Sequence, residues 1–145
     1  MEILADYHTH TVYSHGKGSI EDNVKVAISK GIKKIGISDH GYKNVAYGVK
    51  IDDFEKMREE IDILNEKYKN QIEILLGVEC NILDNKGNID LNDKIYRYHL
   101  PKLLFFIETS TVSFSIKICF RSIYLNRRKG TKTIFIMFTT TYFTN

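Results

Sequence analysis

The chain opens on a short apolar run, Glu2-Ile3-Leu4-Ala5-Asp6-Tyr7, that ends at His8 and predicts a strand. A glycine-bearing loop follows from Ser14 to Gly18. Ser19-Ile20-Glu21-Asp22 then has the form of a capping-box variant, with Ser19 as N-cap and acids in the first turn. Val24, Ala27 and Ile28 give a helical apolar face, and Gly31 is a candidate C-terminal stop. Lys33 to Ser38 predicts a second strand that runs directly into Asp39-His40-Gly41. After a loop over 42–51, Asp52 or Asp53 should cap a second helix, with Phe54, Met57, Ile61, Leu64 and Tyr68 on one stripe and charged residues opposite. Ile72 to Val78 is nearly all apolar and predicts a third strand ending at Glu79. Asn85-Lys86-Gly87-Asn88 signals a turn between Ile82-Leu83 and Ile89. The order β-α-β-α-β predicts an α/β fold with a parallel sheet and right-handed crossovers.

Past residue 96 this order degrades. Leu103 to Ile107 is apolar without alternation, Thr109 to Ile118 alternates only in part, and Asn126 to Lys132 is a basic turn before the apolar stretch Ile134 to Phe138. These segments read as β-rich but without partners of comparable quality, which leaves the third strand as an open sheet edge. Such an edge predicts poor solubility or a molten product. Charge marks the same seam. The net charge of +3 is the sum of −4 over residues 1–96 (13 Lys+Arg, 17 Asp+Glu) and +7 over residues 97–145 (8 Lys+Arg, one acid). The first part holds eight of the nine glycines, whereas the second holds ten of the 17 aromatics and no alanine. Residues 1–96 are therefore expected to form one unit and 97–145 an atypical basic, aromatic tail.

Over its full 145 residues the chain is 43% hydrophobic and 27% charged, which excludes a disordered, fibrous or disulfide-scaffold protein. The start has no basic segment followed by a long apolar one, so no secretory signal is expected. The 13-residue uncharged run Thr133 to Asn145 is too short and too rich in threonine to span a membrane. Cys80 and Cys119 are expected as reduced thiols, and the protein as cytoplasmic.

Four of the five histidines, His8, His10, His15 and His40, fall in the first 40 residues, each at or just after the end of a predicted strand. Glu79 holds the corresponding place on the third strand. Parallel α/β sheets collect their chemistry at that edge. In His8-Thr9-His10 the two imidazoles are two residues apart, so an extended backbone points them the same way and they can grip one ion together. His15 lies on the following loop, where a turn can bring it back over the strand ends. Asp6 and Asp39, each close to a candidate ligand, are placed to orient ligand imidazoles or the strand ends from behind. Alone, each histidine would more often be an ordinary surface or core residue; the set of five at three strand ends is what points to metal.

These residues, as Asp6-Tyr7-His8-Thr9-His10-Thr11, Ser14-His15-Gly16, Ser38-Asp39-His40-Gly41 and Gly77-Val78-Glu79, resemble the PHP (polymerase and histidinol phosphatase) superfamily over about residues 3 to 95. The resemblance implies a distorted seven-stranded (β/α)7 TIM-like barrel, with two or three divalent ions (Zn, Mn or Fe) at the C-terminal strand ends. It implies phosphoester hydrolysis by a metal-bound hydroxide. His8, His10 and Glu79 resemble ligands of a shared metal pair, with Glu79 as the bridge, and His15 and His40 resemble ligands of a third ion. The family's later histidines and closing Asp-x-His have no counterpart here, because no aspartate follows Asp93 and the one later histidine, His99, precedes Leu100-Pro101. The chain thus reads as the N-terminal part of an incomplete barrel, impaired or inactive, binding one or two ions weakly.

The alternatives are a non-catalytic metal-binding fragment and a PHP module of DNA polymerase or nucleic-acid metabolism. A small phosphorylated substrate is the expected partner, nucleic acid the less favoured one, and a membrane is not expected. The seam at residue 97 further suggests, as a hypothesis, out-of-frame translation of an AT-rich gene. Reading the other two frames past codon 96 tests it, and the absence of further His and Asp-x-His from both would refute it.

Overall fold

The computed structural model describes residues 4–84, 86, 88–95, 103–108 and 135–139. Strands β1 (Ala5–Thr9), β2 (Lys34–Ile37) and β3 (Glu73–Asn81) alternate with helices α1 (Ile20–Ser29) and α2 (Asp53–Lys67), followed by β4 (Leu103–Glu108) and β5 (Phe135–Thr139). The five strands lie in one sheet in the order β1-β2-β3-β4-β5, and every pairing is parallel.

Alternation along the strands builds the core. On β3, Ile74, Leu76, Val78 and Cys80 meet Ile20, Val24 and Ala27 of α1 and Phe54, Met57, Ile61 and Leu64 of α2. Leu75, on the opposite face, packs with Tyr7 of β1. A pleated strand exposes alternate residues to opposite faces, so one apolar run feeds both. Glu21 ties the two helices together by accepting hydrogen bonds from Lys67 Nζ and Tyr68 Oη, both at 2.7 Å. Those bonds hold its carboxyl down at about 2, from an ordinary 4.5.

The start of α1 matches its sequence signal. Ser19 accepts from Asp22 N at 3.1 Å, and Asp22 accepts from Ser19 N at 3.0 Å, closing a capping box. Gly31, with φ of 76°, follows the C-cap residue Lys30. The start of α2 differs from expectation. Asp52 is its N-cap residue, but its side chain makes no cap hydrogen bond because it turns to the ammonium of Lys94. Tyr68 also falls just past the helix rather than within it, as the C-cap.

The third strand is longer than the apolar run suggested. It continues through Asn81, so Glu79 sits within β3 rather than at its end. Pairing causes the extension. His40 and Glu79 form a parallel bridge beyond the end of β2, with Glu79 N donating to Asp39 O at 3.0 Å and Gly41 N donating to Glu79 O at 2.8 Å. The expectation of an open edge at the third strand is corrected too. Leu76 through Asn81 of β3 pair with Leu103 through Glu108, and β5 pairs with β4 in turn. Hydrophobic runs without alternation give no period from which such pairing can be read. Thr109 to Ile118, the basic turn at Asn126 to Lys132, His99 and Cys119 lie outside the described residues. No helix among the described residues is long and apolar enough to cross a membrane.

Candidate metal centre

The ends of β1 and β2 and the C-terminal part of β3 deliver the candidate residues to one place. His8 is the penultimate residue of β1, and His10 follows the strand directly. Strict alternation from Tyr7, which packs on Leu75, would send His8 to the face away from Glu79. The register shifts between Asp6 and Thr9 in the β1–β2 pairing, and this irregularity re-aims the strand end. His8 Nε2 then lies 3.1 Å from Glu79 Oε2, His10 Nε2 lies 3.2 Å from the same oxygen, and the two imidazole nitrogens are 3.1 Å apart. His40 Nδ1 is 3.5 Å from that oxygen as well.

His15 is exposed and reaches the group from the loop after β1. That loop is a tight turn in which Ser14 N and Gly16 N both donate to Thr11 O, at 3.1 and 2.9 Å. A Cβ at Gly16 would lie 2.3 Å from His10 O, so only glycine admits this approach. The His15 ring centroid consequently stands 4.2 Å from that of His10 and 4.9 Å from that of His40. Two sets of potential ligand atoms result, His8–His10–Glu79 and His10–His15–His40, each within 4.8 Å and sharing His10.

The protonation states favour cations. Burial works against the Glu79 carboxylate, but hydrogen bonds with His10 and His8 outweigh it and hold the carboxyl well below the usual range. Burial pushes His40 below the ordinary histidine value, with His10 and His15 acting the same way and Glu79 opposing. A neutral imidazole and an ionised carboxylate are the forms that bind metal.

The donor geometry fits an ion. Bonds of roughly 2.0–2.2 Å meeting at octahedral or tetrahedral angles place neighbouring ligand atoms about 2.8–3.6 Å apart. The separations of 3.1, 3.2 and 3.1 Å within His8–His10–Glu79 fall in that window.

Of the two carboxylates expected behind the ligands, each has a defined contact. Asp39 is fully buried. It accepts from Thr11 N at 2.7 Å, from Thr11 Oγ1 at 2.6 Å and from Ser14 Oγ, and it lies 3.8 Å from His10 Nδ1. It therefore braces the turn that carries His10 and His15. Asp6 accepts from His8 N at 3.2 Å and so holds the strand backbone rather than an imidazole.

Sequence reasoning gave no role to Thr11, Ser14, Asn44, Tyr47, Asn81 or Asp90. Thr11 and Ser14 were visible beside the histidines, but only the folded turn shows them sharing Asp39. Tyr47 sits 5.1 Å from the His15 ring and 6.0 Å from the His40 ring, brought there by a loop whose course no local pattern foretells.

The profile of the PHP domain matches residues 6–135. The chain belongs to the PHP domain family. The match runs past the compositional seam at residue 97. Among curated relatives, a protein named "Probable phosphatase" from Thermoanaerobacter sp. is 37% identical over 98 residues, 67% of this chain and 38% of the relative. The "DNA polymerase/3'-5' exonuclease PolX" of Bacillus subtilis is 36% identical over 95 residues, 65% of this chain and 16% of the relative. A "Probable phosphatase" of Clostridium botulinum is 34% identical over 94 residues, 64% and 36% of the two lengths. The chain thus spans well under half the length of these relatives.

Proposed function

We propose that this PHP chain carries part of the metal centre of a phosphoesterase, with His8, His10, His15, His40 and Glu79 as ligands. The observation that carries it is the convergence of His8 Nε2 and His10 Nε2 on Glu79 Oε2 at 3.1 and 3.2 Å, the edge lengths of a metal's ligand polyhedron. Zinc, manganese and iron all suit this mixed imidazole and carboxylate set. Bound there, divalent ions supply Lewis-acid polarisation of a phosphoryl oxygen and a water made acidic near neutral pH. The protein's own part is positional. Glu79, shared by three imidazoles, sets where cations sit, and Asp39 fixes the turn that presents His10 and His15.

The sequential parallel sheet suits part of a TIM-like (β/α)7 barrel. A small phosphorylated substrate fits the relatives named phosphatases. A nucleic-acid phosphodiester is the second substrate class, favoured by the likeness to PolX.

A phosphatase assay with added Mn²⁺ or Zn²⁺ tests the proposal, with His8→Ala and Glu79→Ala as controls. Because the chain supplies five of the family's ligands, the expected outcome is slow, metal-dependent turnover by the unaltered chain, with metal binding and turnover lost in both variants. Metal binding without any Glu79-dependent hydrolysis would favour a non-catalytic metal-binding module. Hydrolysis unaffected by Glu79→Ala would refute the assignment.

A further inference from the structure

Asp90 is a fully buried carboxylate outside the metal-binding set. Three N–H groups converge on it. Oδ1 accepts from Asn81 N at 2.7 Å, and Oδ2 accepts from Asn81 Nδ2 at 2.7 Å and from Lys43 N at 3.0 Å. Lys43 lies three residues after His40, and Asn81 two residues after Glu79. One carboxylate therefore clamps the two segments that carry these ligands.

The clamp leaves no space for a side chain at position 41. A Cβ at Gly41 would lie 2.3 Å from Asp90 Oδ2 and 2.4 Å from Oδ1, so the residue after His40 must lack a side chain for the carboxylate to dock. From Asp90 the contacts lead to the imidazole. With its Nδ2 held by Asp90, Asn81 turns its Oδ1 toward Asn44, whose Nδ2 donates to it at 3.4 Å and lies 3.4 Å from His40 Nδ1. Asn44 is itself fixed as a turn residue, its Oδ1 accepting from Ala46 N and Tyr47 N at 3.1 and 3.0 Å.

We infer that Asp90 is a positioning residue for the metal centre, setting the His40 imidazole through Lys43, Asn81 and Asn44. The inference rests on the metal reading of the site. It also explains the need for a carboxylate. An asparagine in this pocket would turn its own NH₂ toward at least one of three donors, and a carboxylate alone accepts from all of them.

The test is Co²⁺ binding by the full chain, followed by visible ligand-field absorption, with far-UV circular dichroism to verify folding. Asp90→Asn is expected to weaken Co²⁺ binding about 10- to 100-fold, the usual effect of losing support behind a ligand. Its spectrum should move toward that of His40→Ala. The double variant Asp90→Asn/His40→Ala should bind within about twofold of His40→Ala alone, because both changes remove one contribution. Effects that instead multiply in the double variant would overturn the inference while leaving the metal centre intact. Failure of the unaltered chain to bind Co²⁺ would overturn the metal reading, and this inference with it. If Asp90→Asn does not fold, Asn81→Ala keeps the backbone bond to Asp90 and removes the amide that leads to Asn44. It should show the same non-additivity with His40→Ala, and additivity there would again refute the role.

Discussion

Replacing Asp39 by alanine should destabilise the fold even without metal. The side chain is fully buried and receives the Thr11 amide at 2.7 Å, the Thr11 hydroxyl at 2.6 Å and the Ser14 hydroxyl. Ser14 is half-buried and can turn to water, so its loss is small. Thr11 is fully buried, and both of its donors would be stranded. A buried donor left unpaired costs about 1–3 kcal/mol, so two predict a loss of about 2–6 kcal/mol. Against a typical domain stability of about 5–15 kcal/mol, that is a large share. Asp39→Asn keeps one carbonyl oxygen for the Thr11 amide and should cost roughly half as much. Urea unfolding followed by far-UV circular dichroism, with chelator present, measures both. The midpoints should fall in the order unaltered chain, Asp39→Asn, Asp39→Ala, at constant slope. A loss below about 1 kcal/mol for Asp39→Ala would refute the view that this carboxylate organises the His10–His15 turn.

Other outcomes follow from single contacts. Gly41→Ala places a methyl within 2.3 Å of a buried carboxylate oxygen, so it should lower thermal stability and Co²⁺ affinity together; retention of both would show that the turn yields freely. Phe54→Ala empties a fully buried position between α2 and the sheet and should cost about 3–5 kcal/mol in urea unfolding without altering the Co²⁺ spectrum of the folded protein. Glu21 has a depressed carboxyl, so the stability from its bonds to Lys67 and Tyr68 is fully present above its ordinary 4.5 and is lost as pH falls toward about 2. Glu21→Gln should therefore lower the melting temperature at pH 7, and the gap should narrow through that window; a gap constant with pH would exclude the ionised carboxylate as its cause. Glu79→Gln keeps the shape but loses the charge that draws cations between His8 and His10, and isothermal titration with Zn²⁺ should show binding weakened by at least about tenfold.

Much of the fold could be read along the chain because it depends on neighbours in sequence. The Ser19–Asp22 capping box, the Phe54–Met57–Ile61–Leu64 stripe and the alternation of strands with helices are local, and each appears where its pattern lies. The candidate ligands were legible for the same reason, since parallel α/β units bring strand ends to one edge whatever the intervening residues. Longer-range matters were not legible. Glu79 reads as a strand end, yet it lies inside β3 because pairing with His40 and, through Asn81, with β4 carries the strand past the apolar run. The partners of Leu103–Glu108 and Phe135–Thr139 come from strands distant in sequence, so their uniform hydrophobicity gave no register.

The sequence by itself determined which groups are candidate cation ligands and which segments carry them. The tertiary structure alone decided their mutual geometry. The register shift in β1 aims His8 at Glu79, the turn closed on Asp39 lowers His15 toward His10, and Asp90 fills the space that Gly41 leaves open. Hydrogen bonds and steric exclusion between residues far apart in the chain act only once the chain has brought them together, and no local pattern encodes their distances.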